Sequence, residues 1–311
     1  TVPYSPAWRS KLENAFYDTT TEIDALDKEY SMLLAEQIND FINTHSLPPI
    51  DLIASHGHTV FHKPDRGITK QIGSGEEISK LTGVQVVYDF RTQDVALGGQ
   101  GAPLVPIGDV ILFNVFDACL NLGGFANVSF NMQNSRIAYD IGACNLILNH
   151  YAQKLGYEYD DKGLLAQNGT CDESLLNELN DIDYYDFNPP KSLAREFAES
   201  QLLPLLSNYD EETVLHTYTK HIGFQIGVSL TKSKATKCLV TGGGTYNRFL
   251  IDQIQQHTRC FLEIPDRMIV DYKEALVFAL LGHLRKENQI NVLSSVTGAK
   301  YDHSSGRIAK P

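Results

Sequence analysis

The sequence predicts an α/β protein with two lobes, and three observations support this class. Short segments rich in apolar and β-branched residues alternate with segments of helical spacing along most of the chain. Three of the short segments, within residues 118–140, follow one another with only turns between them, which is typical of a β-meander. With 311 residues, the chain is long enough to build two separate hydrophobic cores.

The first part of the chain contains clear helix signals. Ser5 and Pro6 predict a helix start, because serine is a good N-cap and proline suits the first helical position. Gly83 is placed to end a later helix. We predict helices over residues 6–16, 21–44 and 76–81, and buried strands over residues 51–55 and 84–89.

The second part begins after a mostly apolar segment, residues 105–116, which we expect to cross between the lobes. We predict strands over residues 118–122, 126–131, 137–140, 237–241 and 260–264, mainly helices over 145–233, and helices over 246–256 and 273–286. The tail from Asn291 is predicted to be loop. The first predicted lobe is 1–116 with 284–311, and the second is 117–283.

The composition narrows the classes of function. The formal net charge is −12 and no cluster of Lys and Arg offsets it, so nucleic acid and anionic membranes are not expected partners. Neither a run of eighteen apolar residues nor a signal-peptide pattern is visible. The five cysteines lack the spacing of a metal site or a disulfide framework, which indicates a reducing compartment. We therefore expect a cytoplasmic protein.

Two glycine turns are candidate phosphate-binding sites. Gly123 and Gly124 join two predicted strands, and residues 242–244 join a predicted strand to a helix. Glycine lets a ligand approach the main-chain N–H groups, and a helix start favours anions. Either turn alone could be a simple tight turn. The two together indicate nucleotide binding, although neither has the Walker or the dinucleotide-binding pattern.

Asp140 is the candidate catalytic residue. It is predicted to end the third meander strand, beside Gly142. A carboxylate at the end of a strand suits a general base or a ligand of metal-bound water. It could equally be the N-cap of the helix that starts near Asn145, and the spacing alone leaves both interpretations open.

Several motifs together resemble those of one protein family. The segment DFRTQDVALGGQGAPLVP, residues 89–106, is similar to the family pattern DFR…DxALGGQGAPLVP and is the most specific match. The other matching segments are HGHT (56–59), QIG (71–73), LNLGGFAN (120–127), YDIG (139–142), GGGTYN (242–247), EALVFA (274–279) and SVTGA (295–299). By these motifs, most of the chain resembles the anhydro-N-acetylmuramic acid kinases.

The resemblance implies an actin-like (ribonuclease H-like) ATPase fold of two lobes with a cleft between them. It implies a reaction in which ATP and Mg²⁺ are used to open the 1,6-anhydro ring of the sugar and to phosphorylate O6. The product would be N-acetylmuramic acid 6-phosphate, in bacterial cell-wall recycling, and the family suggests a homodimer. Asp140 would be the base that activates water for attack at C1.

The resemblance also implies which residues bind the two substrates. The sugar would be bound by His56, Arg91, Gln100, Gly101 and Glu274, and an arginine could fork onto its lactyl carboxylate. The nucleotide would be bound by glycine-turn amides and two asparagines, namely Gly123, Gly124, Asn127, Gly242, Gly243, Gly244 and Asn247. No protein ligand to a metal is assigned.

Two departures from the family pattern bear on activity. After Asp140, this chain has Ile141, Ala143 and Cys144 where the family has Thr, Pro and Gly. The chain also begins after the family's first phosphate-binding loop, MSGTSxDG. We therefore expect the chain as given to have little or no kinase activity.

Two rival hypotheses remain open at this stage. His56 and His58 lie two apart, followed by His62, and an HxH pair at a strand end is one style of zinc site in metallohydrolases. Alternatively, the altered residues after Asp140 and the lacking loop indicate a catalytically impaired kinase homologue that acts as a sugar- or nucleotide-binding protein.

Overall fold

The structure, a computed structural model, describes residues 1–133 and 135–311. Its helices are α1 Pro6–Asn14, α2 Thr20–Thr44, α3 Gly75–Thr82, α4 Thr92–Ala96, α5 Pro106–Leu112, α6 Asn145–Lys154, α7 Leu164–Asn168, α8 Glu173–Asn180, α9 Arg195–Phe197, α10 Leu203–Leu206, α11 Glu211–Ser233, α12 Arg248–Gln256, α13 Arg267–Lys286 and α14 Ser294–Thr297. Its strands are β1 Ile53–Ser55, β2 His58–Lys63, β3 Ile68–Ile72, β4 Val86–Tyr88, β5 Ala118–Leu122, β6 Phe125–Met132, β7 Ser135–Ala143, β8 Lys237–Thr241, β9 Phe261–Glu263 and β10 Arg307–Ala309.

The chain forms two compact units. Unit 1 consists of residues 1–108 and 274–311, and unit 2 consists of residues 109–273. The predicted bounds were 1–116 with 284–311, and 117–283. Both divisions of the chain fall inside helices, within α5 and within α13. Among the described residues, no helix combines the length and the apolar character needed to cross a bilayer.

The predicted helix starts in unit 1 are confirmed by their caps. The hydroxyl of Ser5 accepts a hydrogen bond from the backbone N–H of Trp8 at 3.3 Å, as an N-cap does. Thr19 and Glu22 form a reciprocal capping box at the start of α2. Gly83, in the left-handed region, ends α3. Local sequence therefore determines where these helices begin and end.

Unit 1 also contains strands that were not predicted. Its three-stranded sheet has the order β1-β4-β10, with β1 parallel and β10 antiparallel to β4. The prediction that the tail is loop was wrong, because β10 and the short helix α14 lie within it. The antiparallel hairpin β2-β3 was missed as well. β10 has only three residues and pairs with a strand about 220 residues earlier, so nothing in its local sequence reveals it.

Unit 2 is built on a five-stranded sheet of order β7-β6-β5-β8-β9. The first three strands form the predicted antiparallel meander, and β8 and β9 continue the sheet parallel to β5. This order and these directions are those of a ribonuclease H-like sheet, so the predicted α/β class and the predicted fold of this unit are confirmed. The long helix α11 is buried along its length against the large core of this unit.

A buried polar network stabilises the centre of unit 2. His221 of α11 is completely buried. Its Nδ1 lies 2.7 Å from Asn180 Oδ1, and its Nε2 lies 2.8 Å from the hydroxyl of Tyr185. Because the amide of Gln225 also donates to Asn180 Oδ1, that oxygen is the acceptor and His221 carries its proton on Nδ1. Burial lowers the pKa of His221 to about 3.

The lowered pKa makes the stability of the protein depend on pH. The unfolded chain binds a proton at His221 below about pH 6.5, whereas the folded protein does not until the pH nears the folded value. Stability from this group is therefore complete above pH 6.5 and is lost as the pH falls. When the pH falls from 7 to 5, the unfolding free energy of the wild type decreases because of His221. We expect this decrease to be about 2 kcal/mol smaller in His221→Gln.

Urea unfolding at the two pH values measures this difference. The matched control is His283→Gln, which removes an exposed histidine of α13. Its unfolding free energy is expected to decrease between the two pH values by as much as that of the wild type. An equal loss in the wild type and in His221→Gln would contradict the assignment.

Candidate active site

The two glycine turns meet at one edge of the unit 2 sheet. β5 and β8 are parallel neighbours whose last pair is Asn121 and Thr241, so the turns that follow both strands leave the sheet at the same level. Gly242 has a φ of 88°, and a Cβ there would lie 2.6 Å from Asn121 Oδ1. A Cβ on Gly244 would lie 2.7 Å from the Cβ of Leu122. Only glycine permits this contact between the turns.

Each turn also has a glycine that faces open space. A Cβ built on Gly124 or on Gly243 would have no described heavy atom of another segment within 4 Å. The carbonyl of Gly123 accepts a hydrogen bond from the N–H of Asn145, at the start of α6. Because a trans peptide directs its C=O and N–H oppositely, the N–H of Gly124 points away from α6. The two turns thus form an open cradle, which is a candidate site for phosphate.

Asp140 lies within β7, and the prediction that it ends the strand was wrong. Asn127 of β6 pairs with Asp140, but the next pair is Ala126 with Gly142, so Ile141 is the extra residue of a β-bulge. The bulge turns Gly142 toward α11, where a Cβ would lie 2.7 Å from Ile222 Cδ1. Asp140 and Asn127 lie on the other face of the sheet.

The surroundings of Asp140 favour a base over a helix cap. The N-cap of α6 is Cys144, which makes no side-chain capping bond among the described residues, so the N-cap interpretation of Asp140 was wrong. Asp140 Oδ2 instead accepts a hydrogen bond from the N–H of Leu193 at 2.9 Å. Burial raises the pKa of Asp140, and the bond from Leu193 lowers it. A half-buried carboxylate of this kind can accept a proton from water.

The predicted sugar residues of unit 1 centre on Arg91. Its Nε and Nη2 lie 3.0 Å and 2.8 Å from His56 Nε2, and its Nη1 donates to the carbonyl of Gly101 at 2.6 Å. His56 Nδ1 lies 2.9 Å from the carbonyl of Gly57, so His56 is protonated on Nδ1 and accepts at Nε2. Burial and, next, the charge of Arg91 lower the pKa of His56, which keeps the ring neutral.

The other two predicted sugar residues are close to this pair. Glu274 interacts electrostatically with Arg91, and its side chain is exposed. Gln100 is exposed too, while its backbone N–H donates to the carbonyl of Thr297 at 2.8 Å. The contacts with His56 and Gly101 use three of the five N–H bonds of the Arg91 guanidinium, which leaves one on Nη1 and one on Nη2 for the predicted contact with a carboxylate. Arg91 thus contacts both His56 and Gly101, and it interacts electrostatically with Glu274.

His62 is a candidate site residue that the sequence interpretation did not select. Its Cε1 lies 3.3 Å from where a Cβ on Gly101 would be, and its Nδ1 lies 3.2 Å from the hydroxyl of Thr69. Burial, followed by the charge of Arg91, lowers the pKa of His62. The available signal was the spacing of the three histidines, but the hairpin that carries His62 was not predicted.

The zinc hypothesis is not favoured by the positions of the histidines. The ring of His58 lies 6.2 Å from that of Tyr30, whereas the ring of His56 lies 4.9 Å from that of Phe278. Within residues 1–133 and 135–311, no group of three His, Cys, Asp or Glu side chains is arranged to hold a metal ion.

Asn247, the last predicted nucleotide residue, is the N-cap of α12. It is buried, and its side-chain oxygen accepts from the N–H of Leu250 at 2.9 Å. Its side chain therefore holds the helix that follows the second glycine turn.

Comparison with known proteins adds a family to this geometry. The profile of the anhydro-N-acetylmuramic acid kinase family matches residues 1–311. A protein with that name from Sulfurimonas denitrificans is 32% identical, with 98% of this chain and 89% of the relative covered. Those from Aliivibrio fischeri and Bacillus cereus are 34% and 31% identical, with 92% and 100% of this chain and 83% and 90% of each relative covered.

Two solved structures show a weaker likeness. Component A of (R)-2-hydroxyglutaryl-CoA dehydratase from Acidaminococcus fermentans has a TM-score of 0.41 and 14% identity, over 68% of this chain and 82% of that one. A putative N-acetylmannosamine kinase from Listeria monocytogenes has a TM-score of 0.40 and 14% identity, over 83% and 87%.

The glycine turns generate a paired test. Gly243→Ala fits the space that the structure leaves, so we expect an unchanged thermal midpoint but a Kd for ATP about tenfold higher or more, because the methyl group obstructs the cradle. Gly242→Ala is strained and crowded, so we expect it to lose about 1–3 kcal/mol of unfolding free energy. Calorimetric titration with ATP and thermal unfolding measure both effects. ATP binding by Gly243→Ala at wild-type strength would exclude the cradle as the phosphate site.

Proposed function

Because the chain belongs to the anhydro-N-acetylmuramic acid kinase family, we propose that it uses ATP to open the 1,6-anhydro ring of anhydro-N-acetylmuramic acid and to phosphorylate O6. The observation that carries this proposal is the combination, in unit 2, of an open double glycine turn with Asp140 at a β-bulge. The product is N-acetylmuramic acid 6-phosphate.

Unit 2 binds ATP and supplies the base. The phosphates are bound by main-chain N–H groups at Gly123–Gly124 and Gly242–Gly244, which favour anions and leave room for them. Mg²⁺ would be held mainly by the ATP phosphates and water, and the side-chain oxygen of Asn127, on the same face of the sheet as Asp140, could be added to these ligands while Asp140 stays free as the base. Mg²⁺, when bound, neutralises charge on the phosphates.

The reaction assigns one proton transfer to this chain. Asp140 takes a proton from water while the water oxygen forms a bond to C1 and the bond between C1 and O6 breaks. The freed O6 then attacks the γ-phosphorus, and ADP leaves. The half-buried position of Asp140 suits this task, because desolvation raises its pKa and makes it a stronger base.

Unit 1 binds the sugar. Gln100 and Glu274 are exposed and can make hydrogen bonds to its polar groups. Arg91 supplies a positive charge beside the neutral His56, which suits the lactyl carboxylate. This local charge is needed because the whole chain carries a formal net charge of −12.

The departures from the family pattern after Asp140 are compatible with activity. Ile141 is 2% exposed, and Ala143 and Cys144 are fully buried in the core of unit 2. These three side chains therefore pack in the interior and do not obstruct the open turns. This favours a kinase over the catalytically impaired homologue.

The finer parts of the proposal follow from the family alone. We infer that the enzyme acts in the cytoplasm in bacterial cell-wall recycling and that it works as a homodimer. The reducing compartment indicated by five scattered cysteines agrees with this setting.

The direct test is turnover of the full-length protein. With ATP, Mg²⁺ and anhydro-N-acetylmuramic acid, we expect formation of the 6-phosphate, measured by mass spectrometry together with release of ADP. Asp140→Asn removes the base and should lower kcat by at least about a hundredfold. Asp186→Asn, at an exposed carboxylate of unit 2, is the control that should retain kcat. Release of ADP without a phosphorylated sugar, or full activity of Asp140→Asn, would contradict the proposal.

The hydrogen bond from Leu193 gives a second test, on pH dependence. Asp140 must be ionised to act as a base, so kcat falls as the pH drops through its pKa. Leu193→Pro removes the N–H that stabilises the carboxylate, and the pKa of Asp140 then rises further. We expect the acid limb of the rate profile to move to higher pH in Leu193→Pro but not in Leu193→Ala, which keeps the N–H. An unmoved limb in both variants would show that Asp140 is not the titrating base.

A further inference from the structure

Asp94 is a completely buried carboxylate in unit 1 that the reaction above does not use. It lies on α4, and its Oδ2 accepts a hydrogen bond from the backbone N–H of Gly101 at 2.6 Å. Its Oδ1 accepts from the hydroxyl of Thr297 at 2.7 Å, and His303 Nε2 lies 3.5 Å from the same oxygen. Burial of a carboxylate is costly unless such partners compensate it, so this arrangement calls for an explanation.

The loop after α4 is built around this carboxylate. A Cβ on Gly99 would lie 2.2 Å from Asp94 Oδ2 and 2.7 Å from its Cγ. The φ of Gly99 lies outside the left-handed region, so its need for glycine comes from the carboxylate and not from the backbone conformation. Replacing the hydrogen at this position would displace Asp94 from the N–H of Gly101.

Gly101 is held from both sides by α4. Its N–H is bound by Asp94, and its carbonyl accepts from Nη1 of Arg91, which is the N-cap of the same helix. Arg91 and Asp94 are three residues apart, a spacing that places two side chains on one side of a helix. The position of Asp94 therefore fixes Gly101, and Gly101 in turn helps to fix the guanidinium that contacts His56.

The same carboxylate ties the loop to the C-terminal part of the chain. Thr297 donates its hydroxyl to Asp94, and its carbonyl accepts from the N–H of Gln100 at 2.8 Å. The backbone of Gln100 is thereby anchored while its side chain is exposed. Two distant segments thus meet at Asp94 and hold the backbone of Gln100, which the proposed function assigns to the sugar.

From these contacts we propose that Asp94 is a positioning residue for sugar binding: it holds the Gln100–Gly101 loop and Arg91 in the geometry that binds the substrate. The inference rests on the proposed function, because it concerns the same sugar site. It assigns Asp94 no contact with the substrate and no role in ATP binding, which unit 2 provides.

The test separates sugar binding from ATP binding. Asp94→Ala loses the acceptor for Gly101, so we expect the KM for the sugar, and the Kd for the sugar measured by calorimetry without ATP, to rise about tenfold or more. The KM for ATP should stay within about twofold, because no ATP-binding residue is changed. Asp94→Asn keeps an oxygen for Gly101 and can donate to Thr297, so it should recover most of the affinity.

Two further variants complete the design. Asp302→Asn removes a carboxylate that binds the N–H and hydroxyl of Ser294 in the same C-terminal segment, and it should bind sugar as the wild type does. If Asp94→Ala does not fold, Thr297→Val, which removes only the hydroxyl bond, should still raise the Kd for the sugar above that of Thr297→Ser.

The outcomes are distinct. Wild-type sugar affinity in Asp94→Ala, or equal increases in the KM for sugar and for ATP, would overturn the inference and leave the proposed function intact. The same holds if Asp302→Asn weakens sugar binding as much as Asp94→Ala does. A wild-type protein that binds no anhydro-sugar would instead refute the proposed function.

Discussion

The parallel pairing of β5 with β8 is the constraint on which the site of unit 2 depends. It ends both strands at the same level, so that one glycine turn follows each strand at a shared edge. A Cβ on Gly242 would lie only 2.8 Å from the carbonyl oxygen of Leu122, so this approach of the two segments requires glycine. The proposed cradle for phosphate is thus a consequence of strand register, since no single segment could form it.

The bulge at Ile141 allows one strand to carry both core side chains and a carboxylate outside the core. Tyr139 and Gly142 both face α11 because the extra residue shifts the alternation of side chains. Asp140 remains on the opposite face. Its N–H donates to the carbonyl of Lys191, and its carboxylate accepts from the N–H of Leu193. The strand therefore serves the core and the site at the same time.

Sequence could predict whatever local chemistry determines. Caps at Ser5 and Gly83, the meander, and the two glycine turns are encoded by residues adjacent in the chain, and the resemblance pointed to Arg91 and His56. The bulge, β10 and the clamp around Asp94 depend on pairings between distant segments, for which a single sequence carries no local signal. Asp140 stays a candidate for its carboxylate, whereas its predicted place at the end of the strand was wrong for this reason.

An acidic chain that binds two anionic substrates must attract them at short range. With a formal net charge of −12, the long-range field opposes the approach of ATP and of a sugar acid. The donors that we propose, main-chain N–H groups at the glycine turns and one half-buried guanidinium, act only over a few ångströms, and their strength depends on being held in place before the ligand arrives. The paired strands hold the turns, and Gly101 and His56 hold Arg91. In the proposed function, anion recognition therefore depends on the rigid placement of few donors and not on net charge.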